Sequence, residues 1–404
     1  MKPRLKHSTP WILAICWMII GLQSVWILYH RKPEVLEAVG IESAVHHILS
    51  RTGLVARDPF WALSRDEDRT QLKQALQSVD QYSTYLSEDQ FESFSIDSRQ
   101  EYEGIGVSLM SNPQGAEVRD VFEGSPAERF GMHRGDVITR INDLDVRGWN
   151  FSRVVHQIRG TAGTELKLQV LRDQQIIDLV LQRSAIDIPS IRGVHRTEDG
   201  VLYLKIDQFG EKTDDEFYEA LRAHSTPALQ GIVIDLRNNM GGVMQSSIDM
   251  LDAFYDRGEL MLQTRSTEGD RERTYHARRP RMIHNTPVVI LVNRNSASAS
   301  EILAGSLQVT GKATIVGETT LGKGSIQTVY RMRRGDAYKK TSSYYFFPDG
   351  STIHEVGIQP DVRIPLSDND YTTQRMRERQ GIAPYAAEGD PYWSAALRSL
   401  QRSS

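Results

Sequence analysis

Two stretches of the chain place a serine and a lysine where they could act together as nucleophile and base. Ser298 lies within Ser-Ala-Ser-Ala-Ser-Glu, directly after an apolar run that predicts a buried strand. A serine at such a strand-to-helix turn exposes its hydroxyl beside free N–H groups, which favours stabilisation of an oxyanion. Lys323 lies 25 residues later, between two glycines and after a second strand pattern. We expect the two strands to be neighbours in one sheet.

This chemistry requires a lysine that loses its proton near neutral pH. Burial among apolar groups lowers the pKa of a lysine because it disfavours the charged ammonium. The flanking glycines let the backbone approach closely, so Lys323 could reach Ser298 from a tight, dry turn. Gln327 could hydrogen-bond the amine and aim its lone pair without adding a charge. These residue types predict covalent catalysis through the serine.

The combined pattern of SASASE and GETTLGKGSIQ resembles that of the C-terminal processing peptidases, also called tail-specific proteases. Members of that family are serine endopeptidases with a Ser-Lys dyad. The resemblance implies that Ser298 is the nucleophile, Lys323 the general base and Gln327 the residue that positions the base. The flanking Ser296 and Ser300 are interpreted as turn and helix-capping serines.

A third apolar strand runs into a glycine turn that matches another element of the family, Asp-Leu-Arg-Asn-Asn-Met-Gly-Gly. Adjacent glycines after a strand can present backbone N–H groups to a substrate carbonyl. The resemblance implies that Gly241 or Gly242 forms the oxyanion hole together with the N–H of Ala299. Asp235 and Arg237 are predicted to form a structural ion pair or a loop clamp.

A β-rich stretch of about 80 residues precedes these elements and resembles a PDZ domain. It carries a Gly-Ile-Gly-Val turn, a Gly-Ser-Pro-Ala element, an amphipathic helix and a closing hairpin. The resemblance implies that the amides of Ile105, Gly106 and Val107 bind the terminal carboxylate of a peptide, in a backbone nest. Three apolar residues of the helix either contact the last side chain of that peptide or belong to the core: Val154, Val155 and Ile158.

The amino end carries a candidate membrane anchor. Trp11 to Tyr29 is a run of 19 residues without a charge, which as a helix would span about 28 Å, close to the hydrocarbon thickness of a bilayer. Basic residues lean to its N-terminal side, so we expect that end in the cytoplasm and the rest outside. The prediction is an uncleaved, single-pass anchor in the inner membrane, with the catalytic portion on the extracytoplasmic (periplasmic) side. A removed signal peptide is the alternative.

Composition excludes several other classes of function. The chain has 404 residues, of which 39% are hydrophobic, and a net charge of −4, so nothing favours nucleic-acid binding. Cys16 is the single cysteine, and the histidines show no metal-ligand spacing. We therefore expect no internal disulfide, no metal site and no cofactor.

The predicted fold class is α/β, a ClpP/crotonase-like catalytic body with an inserted β-rich PDZ domain, an N-terminal helical segment and a transmembrane helix. Strands that alternate with helices support the first part of this prediction. The predicted order is a cytoplasmic N-terminus (1–10), a transmembrane anchor (11–29), an N-terminal helical segment (33–98), the PDZ domain (99–184), the catalytic body (185–366) and a C-terminal tail (367–404).

The leading functional hypothesis is a serine endopeptidase that recognises apolar protein C-termini through its PDZ domain and hydrolyses peptide bonds through an acyl-enzyme. Its expected partners are proteins or peptides with free apolar C-termini, and the membrane. A PDZ scaffold or regulator without activity is one alternative, and a serine hydrolase that uses His284 or His354 is another. The sequence leaves open a homo-oligomer, an adaptor protein, and whether the PDZ domain inhibits or activates.

The anchor makes a prediction about topology. A reporter that functions only outside the cytoplasm, fused after Leu400, should be active, because the positive charges hold the other end of the anchor inside. Membrane fractionation should retain the intact chain. Recovery of a soluble chain that begins after Tyr29 would instead show that the segment is removed.

Overall fold

A computed structural model describes residues 80–364, except 226–227, 268, 270 and 333–334, together with 389–402 and a few isolated positions. The predicted membrane span and most of the predicted N-terminal helical segment lie outside these residues. Within the described part, no helix is long and apolar enough to cross a bilayer.

The described helices and strands follow one another along most of the chain. The helices are α1 (Glu88–Arg99), α2 (Pro126–Arg129), α3 (Phe151–Ile158), α4 (Thr213–His224), α5 (Met244–Leu251), α6 (Ala299–Val309) and α7 (Pro391–Arg402). The strands are β1 (Thr84–Leu86), β2 (Glu101–Gly104), β3 (Val107–Asn112), β4 (Gly115–Val121), β5 (Val137–Ile141), β6 (Leu144–Asp145), β7 (Glu165–Arg172), β8 (Gln175–Gln182), β9 (Ser184–Asp187), β10 (Ile191–Arg196), β11 (Val201–Ile206), β12 (Gly231–Asp235), β13 (Leu260–Ser266), β14 (Glu272–His276), β15 (Val288–Val292), β16 (Thr314–Gly317), β17 (Ser325–Arg331), β18 (Ala337–Phe346) and β19 (Val362–Arg363).

A six-stranded sheet with the order β10-β11-β12-β15-β16-β19 forms the centre of the catalytic body. All its strand pairs are parallel except β10 with β11. Strands β12 and β15 are buried along their whole length, as the apolar runs of a parallel sheet covered on both faces require. The prediction that the strands before Ser298 and Lys323 are neighbours in one sheet is confirmed, because β15 pairs with β16 in parallel.

Helices cover both faces of this sheet. On one face, alternate strand residues pack in a core with α4, α5 and α6. On the other face, the remaining alternate residues pack against α7 through Tyr392, Ala395, Ala396 and Leu400. This helix lies in the segment predicted only as a C-terminal tail, and its apolar side covers one face of the sheet.

The β-rich module has a core of its own. Its main sheet has the order β3-β4-β5-β7-β8, with β6 paired to β5. Strands β2 and β9 pair where the chain enters and leaves the module. This short antiparallel pair joins the module to the rest of the chain at one place.

An antiparallel sheet with the order β1-β18-β13-β14, and with β17 beside β18, closes the body. The stretch 356–361, which precedes β19, forms no strand. The N–H groups of Val356 and Gly357 both donate to the carbonyl of Ile353, which makes a turn. Gly357 has a φ of 76°, and a Cβ there would lie 2.3 Å from the carbonyl oxygen of Thr320. The close approach to Thr320 needs a glycine, and it bends the chain out of an extended strand.

Candidate active site

Ser298 lies at the N-cap of α6, directly beyond the carboxyl end of β15. Its backbone has φ 55° and ψ −114°, a conformation that residues other than glycine rarely adopt. The residue is half-buried and lines a cleft together with Lys323 and Gln327. The strained residue therefore faces the cleft, and backbone strain of this kind is often found at functional sites.

The neighbouring serines have a different role from the nucleophile candidate. Ser296 and Ser300 are fully buried. The hydroxyl of Ser296 accepts from the N–H of Asn293 and donates to the carbonyl of Leu236, whereas Ser300 donates to the carbonyl of Asn239. The turn role expected for Ser296 is thus present, but Ser300 binds a facing loop and does not cap the helix. Both serines tie the turn around Ser298 to the loop that follows β12.

Lys323 follows β16, the strand adjacent to the one before Ser298. Burial lowers the pKa of Lys323, and the positive charge of Lys339 lowers it further, whereas the charges of Glu301 and Asp80 oppose this shift. The ammonium nitrogen lies 5.2 Å from the centre of the Tyr82 ring. A lysine whose charged form is disfavoured in this way is suited to accept a proton.

Glu301 connects the two parts of the site, and sequence reasoning assigned it no role. Its side chain is fully buried. One carboxylate oxygen accepts the N–H groups of Ser298 at 2.8 Å and Lys323 at 2.9 Å. The other accepts the hydroxyl of Thr320 and the N–H of Gly322. A single carboxylate therefore fixes the backbone of both proposed catalytic residues. The available signal was an acidic residue three positions after the serine, which is also common in helix capping.

The glycine turn after β12 approaches Ser298 closely. Gly241 has a φ of 98°, and a Cβ there would lie 2.8 Å from the Cβ of Ser298 and 2.9 Å from the amide nitrogen of Ala299. The N–H of Gly241 donates to the side chain of Asn239. Phe209 pairs with this turn through two backbone hydrogen bonds. Its N–H donates to the carbonyl of Gly241, and its carbonyl accepts from the N–H of Val243. The N–H of Gly242, which has no partner among the described residues, is therefore the better oxyanion donor of the two glycines.

The predicted ion pair between Asp235 and Arg237 is confirmed. Both side chains are buried, and two guanidinium nitrogens donate to the carboxylate at 2.9 and 2.7 Å. Burial alone would raise the pKa of Asp235, but the charges of Arg237 and Lys205 outweigh it and lower this pKa. Tyr203 donates to the same carboxylate, and the guanidinium lies 4.6 Å from the ring centre of Tyr392. This clamp fixes the start of the loop that carries the glycine turn.

Gln327 lines the same cleft but does not bond the amine of Lys323 in this structure. Its amide nitrogen donates to the hydroxyl of Ser325 at 2.9 Å and to that of Thr341 at 3.4 Å. A register shift between Ile326 and Gln327 in the pairing of β17 with β18 accompanies this orientation. The amide oxygen has no partner among the described residues. The positioning role of Gln327 stays a prediction.

Neither histidine of the alternative hypothesis lines this cleft. His354 packs beside the rings of Tyr82 and Tyr344. His284 lines a separate cavity with Arg281 and Lys312. Lys323 thus shares the cleft with Ser298, and neither of these histidines does.

The expected carboxylate-binding loop contributes two residues to the wall of a groove in the β-rich module. Gly106 has a φ of 79°, and a Cβ there would lie 2.2 Å from the Cβ of Ser125. Ile105 and Val107 line the groove, which runs between β3 and α3. Of the three helix residues considered above, Val154 and Ile158 belong to the core, and Val155 and Ile158 line the groove.

Comparison with known proteins agrees with this architecture. A family model described as Peptidase family S41 matches residues 200–364, and a PDZ domain model matches residues 93–171. The carboxy-terminal processing protease CtpA of Bacillus subtilis is 33% identical over 299 residues, which cover 74% of this chain and 64% of that protein. The carboxy-terminal-processing protease of Bartonella bacilliformis is 31% identical over 293 residues, 71% of this chain and 67% of that protein.

The chain belongs to peptidase family S41. The expected family and the expected PDZ domain are thereby confirmed. This S41 peptidase spans 57% of the length of a third relative, the probable CtpA-like serine protease of Staphylococcus aureus, which is 34% identical to it. It is also similar to the solved photosystem II D1 C-terminal processing protease, with 25% identity, coverage of 79% of this chain and 86% of the other, and a TM-score of 0.45.

The role of the buried Glu301 carboxylate in this S41 peptidase can be tested by mutation. Glu301→Gln should lower kcat/KM by about a hundredfold, because its amide NH₂ would face two N–H donors and displace Ser298 and Lys323. Glu318→Gln is the matched control, since Glu318 lies in the same strand-to-loop region and pairs with the exposed Arg294. We expect near-normal activity for that control. Steady-state kinetics and thermal unfolding would be compared, and kcat/KM within twofold of wild type for Glu301→Gln would contradict the assigned role.

Proposed function

We propose that the chain is a serine endopeptidase that uses Ser298 as nucleophile and Lys323 as general base. One observation carries this proposal. The strained serine, a half-buried lysine and the N–H of Gly242, which has no partner among the described residues, line one cleft, at the edge where β15 and β16 end. These are the parts that acyl transfer requires: a nucleophile, a base and an oxyanion donor. The scaffold alternative explains none of them.

The proposed reaction proceeds in two halves. The neutral amine of Lys323 takes the proton of the Ser298 hydroxyl as its oxygen attacks the peptide carbonyl. The N–H groups of Ala299 and Gly242 hold the resulting oxyanion. Lys323 then returns the proton to the leaving amine, which leaves an acyl-enzyme on Ser298. Water, activated by the same amine, releases the acyl group and restores the serine.

The dyad is tested by removing each group separately. Ser298→Ala and Lys323→Ala should each lower kcat by several orders of magnitude, because nucleophile and base act as a unit. Lys323→Arg keeps the positive charge but cannot lose its proton, so it should be equally inactive. Gln327→Ala should cost less, since only orientation is lost. The measurements are kcat and KM on a model peptide, with circular dichroism as a control for folding.

A serine-reactive probe gives an independent readout of the same dyad. It should label the wild-type chain at Ser298 and leave Ser298→Ala unlabelled. Labelling should rise with pH through the lowered pKa of Lys323, because the amine is a base only after it loses its proton. Near-normal turnover of Lys323→Ala would show that the assignment of the base is wrong.

We further propose that the PDZ domain selects substrates by their free C-termini and controls access to the cleft. The groove beside β3 is lined by Ile105 and Val107, which flank the turn at Gly106, and by the apolar side chains of Val155 and Ile158 of α3. Such a groove suits an extended peptide that ends in an apolar residue and a carboxylate. Binding there would raise the local concentration of substrate or move the module between blocking and open positions.

The role of the PDZ domain predicts a preference for free C-termini. A peptide with a free apolar C-terminus should be cleaved faster than its amidated twin, because the amide lacks the charge that the backbone turn receives. Gly106→Ala should remove this preference, since a Cβ there collides with Ser125. Gly124→Ala is the matched control in the same module, because it also has a positive φ but an open surrounding. Equal kcat/KM for both peptides with the wild-type chain would contradict selection.

We also propose a fold for the catalytic body and a cellular location for the chain. Strands alternating with helices in a parallel sheet support a ClpP/crotonase-like body. The uncharged run 11–29 supports a single-pass anchor that places the catalytic portion outside the cytoplasm.

A further inference from the structure

A second lysine lies in the cleft and takes no part in the proposed reaction. Lys339 lines the cleft together with Ser298 and Lys323. It lies on β18, two residues from Thr341 and therefore on the same face, and Tyr345 of the same strand also lines the cleft. Thr341 holds Gln327, and Tyr345 donates to the carbonyl of Lys323. The strand face that supports the proposed base thus also carries this cation.

Lys339 has no carboxylate partner among the described residues. It is half-buried, and its ammonium lies 5.6 Å from the ring centre of Phe94. Burial lowers the pKa of Lys339, and no acidic group offsets that shift. Lys323 is close enough for the positive charge of Lys339 to lower its pKa. A half-buried ammonium with no counter-ion among the described residues is stabilised by any anion that enters the cleft.

Lys339 and Ser298 line the same cleft, and Lys339 is near enough to Lys323 for its positive charge to lower the pKa of that amine. A peptide bound in extended form advances about 3.3–3.6 Å per residue. The four substrate residues on each side of the bond that Ser298 would attack therefore cover roughly 14 Å of the cleft.

We propose that Lys339 is a specificity-determining residue that binds a carboxylate of the substrate within about four residues of the cleaved bond. The carboxylate is either an acidic side chain or the terminal carboxylate of a short leaving fragment. Both present the same planar anion to the ammonium. This inference rests on the proposed endopeptidase function and adds a preference that the dyad itself does not supply.

The experiment compares pairs of amidated peptides that differ only by Glu or Gln, scanned over the four positions on each side of the cleaved bond. The wild-type chain should prefer Glu over Gln at one or two positions by about tenfold in kcat/KM, chiefly through KM. Lys339→Gln should bring that ratio close to one, and Lys339→Arg should retain it. Lys340→Gln, which removes the same charge from the adjacent residue on the opposite face, should also retain it.

A second arm separates the two sources of the carboxylate. Peptides without acidic residues are shortened so that a free C-terminus falls at the selected position, and each is compared with its amidated form. Dependence on Lys339 in this arm alone assigns the terminal carboxylate, and dependence in the Glu series alone assigns a side chain. The PDZ groove is the same in all variants, so the part that depends on Lys339 belongs to the cleft.

The ratio also excludes an indirect role. If Lys339 acted only by lowering the pKa of Lys323, Lys339→Gln would slow acidic and neutral peptides by the same factor and would leave the Glu-to-Gln ratio unchanged. That result would overturn the proposal. Thermal unfolding should show no loss of stability in Lys339→Gln, because a buried charge without a partner is removed.

Binding to an inactive chain separates this proposal from the proposed function. Fluorescence anisotropy on Ser298→Ala should show the same preference for Glu peptides, and Ser298→Ala/Lys339→Gln should lose it. If the wild-type chain cleaves no peptide but this binding preference is present, the proposed activity fails and the carboxylate site stands. If cleavage is normal and the double variant binds both peptides as Ser298→Ala does, the carboxylate site fails alone.

Discussion

The arrangement of the site depends on one buried carboxylate. A carboxylate removed from water is stable only when hydrogen-bond donors replace the solvent, and Glu301 has four of them. Two of the donors are the backbone N–H groups of Ser298 and Lys323. The loops after β15 and β16 are therefore fixed relative to each other by the need to satisfy one charge. Burial raises the pKa of Glu301, while these hydrogen bonds oppose the rise.

The same charge has a cost for the proposed base. A negative group near Lys323 stabilises its ammonium and raises its pKa. Burial of the lysine and the nearby charge of Lys339 act in the other direction, and their combined effect is larger. Glu301 thus fixes the geometry of the site, while burial of Lys323 and the positive charge of Lys339 outweigh the effect of Glu301 on the pKa of Lys323. Because the two requirements act on one residue, changing either Glu301 or Lys339 is expected to alter the basicity of Lys323.

Much of this could be predicted from sequence, and the remainder required the pairing of distant strands. The apolar runs of β12 and β15 predict buried parallel strands, and the serine and lysine at the ends of β15 and β16 follow from residue type and spacing. Glu301 could not be distinguished from an ordinary capping residue, since three of its four partners are about twenty residues away in sequence. Lys339 enters the cleft only through the register of β17 with β18. Gln327 was predicted to bond the amine, but the shifted register directs its amide nitrogen to Ser325 and Thr341.

The groove of the PDZ domain and the catalytic cleft share a wall, which is helix α1. Phe94 and Ser98 of this helix line the cleft, Glu92 and Ile96 line the groove, and Asp97 lines both. The helix has no fully buried residue, so packing does not hold it strongly.

Polar contacts connect α1 to the module. Arg159 lies 3.5 Å from Glu92, and Ser152 donates to Asp89 at 2.8 Å. Partly exposed contacts of this kind contribute about 0–1 kcal/mol each. A peptide in the groove competes for the same side chains and can alter these contacts at small cost. Whether the PDZ domain restrains or promotes cleavage therefore depends on whether its occupant breaks or strengthens the contacts of α1, because any movement of this helix also moves one wall of the cleft.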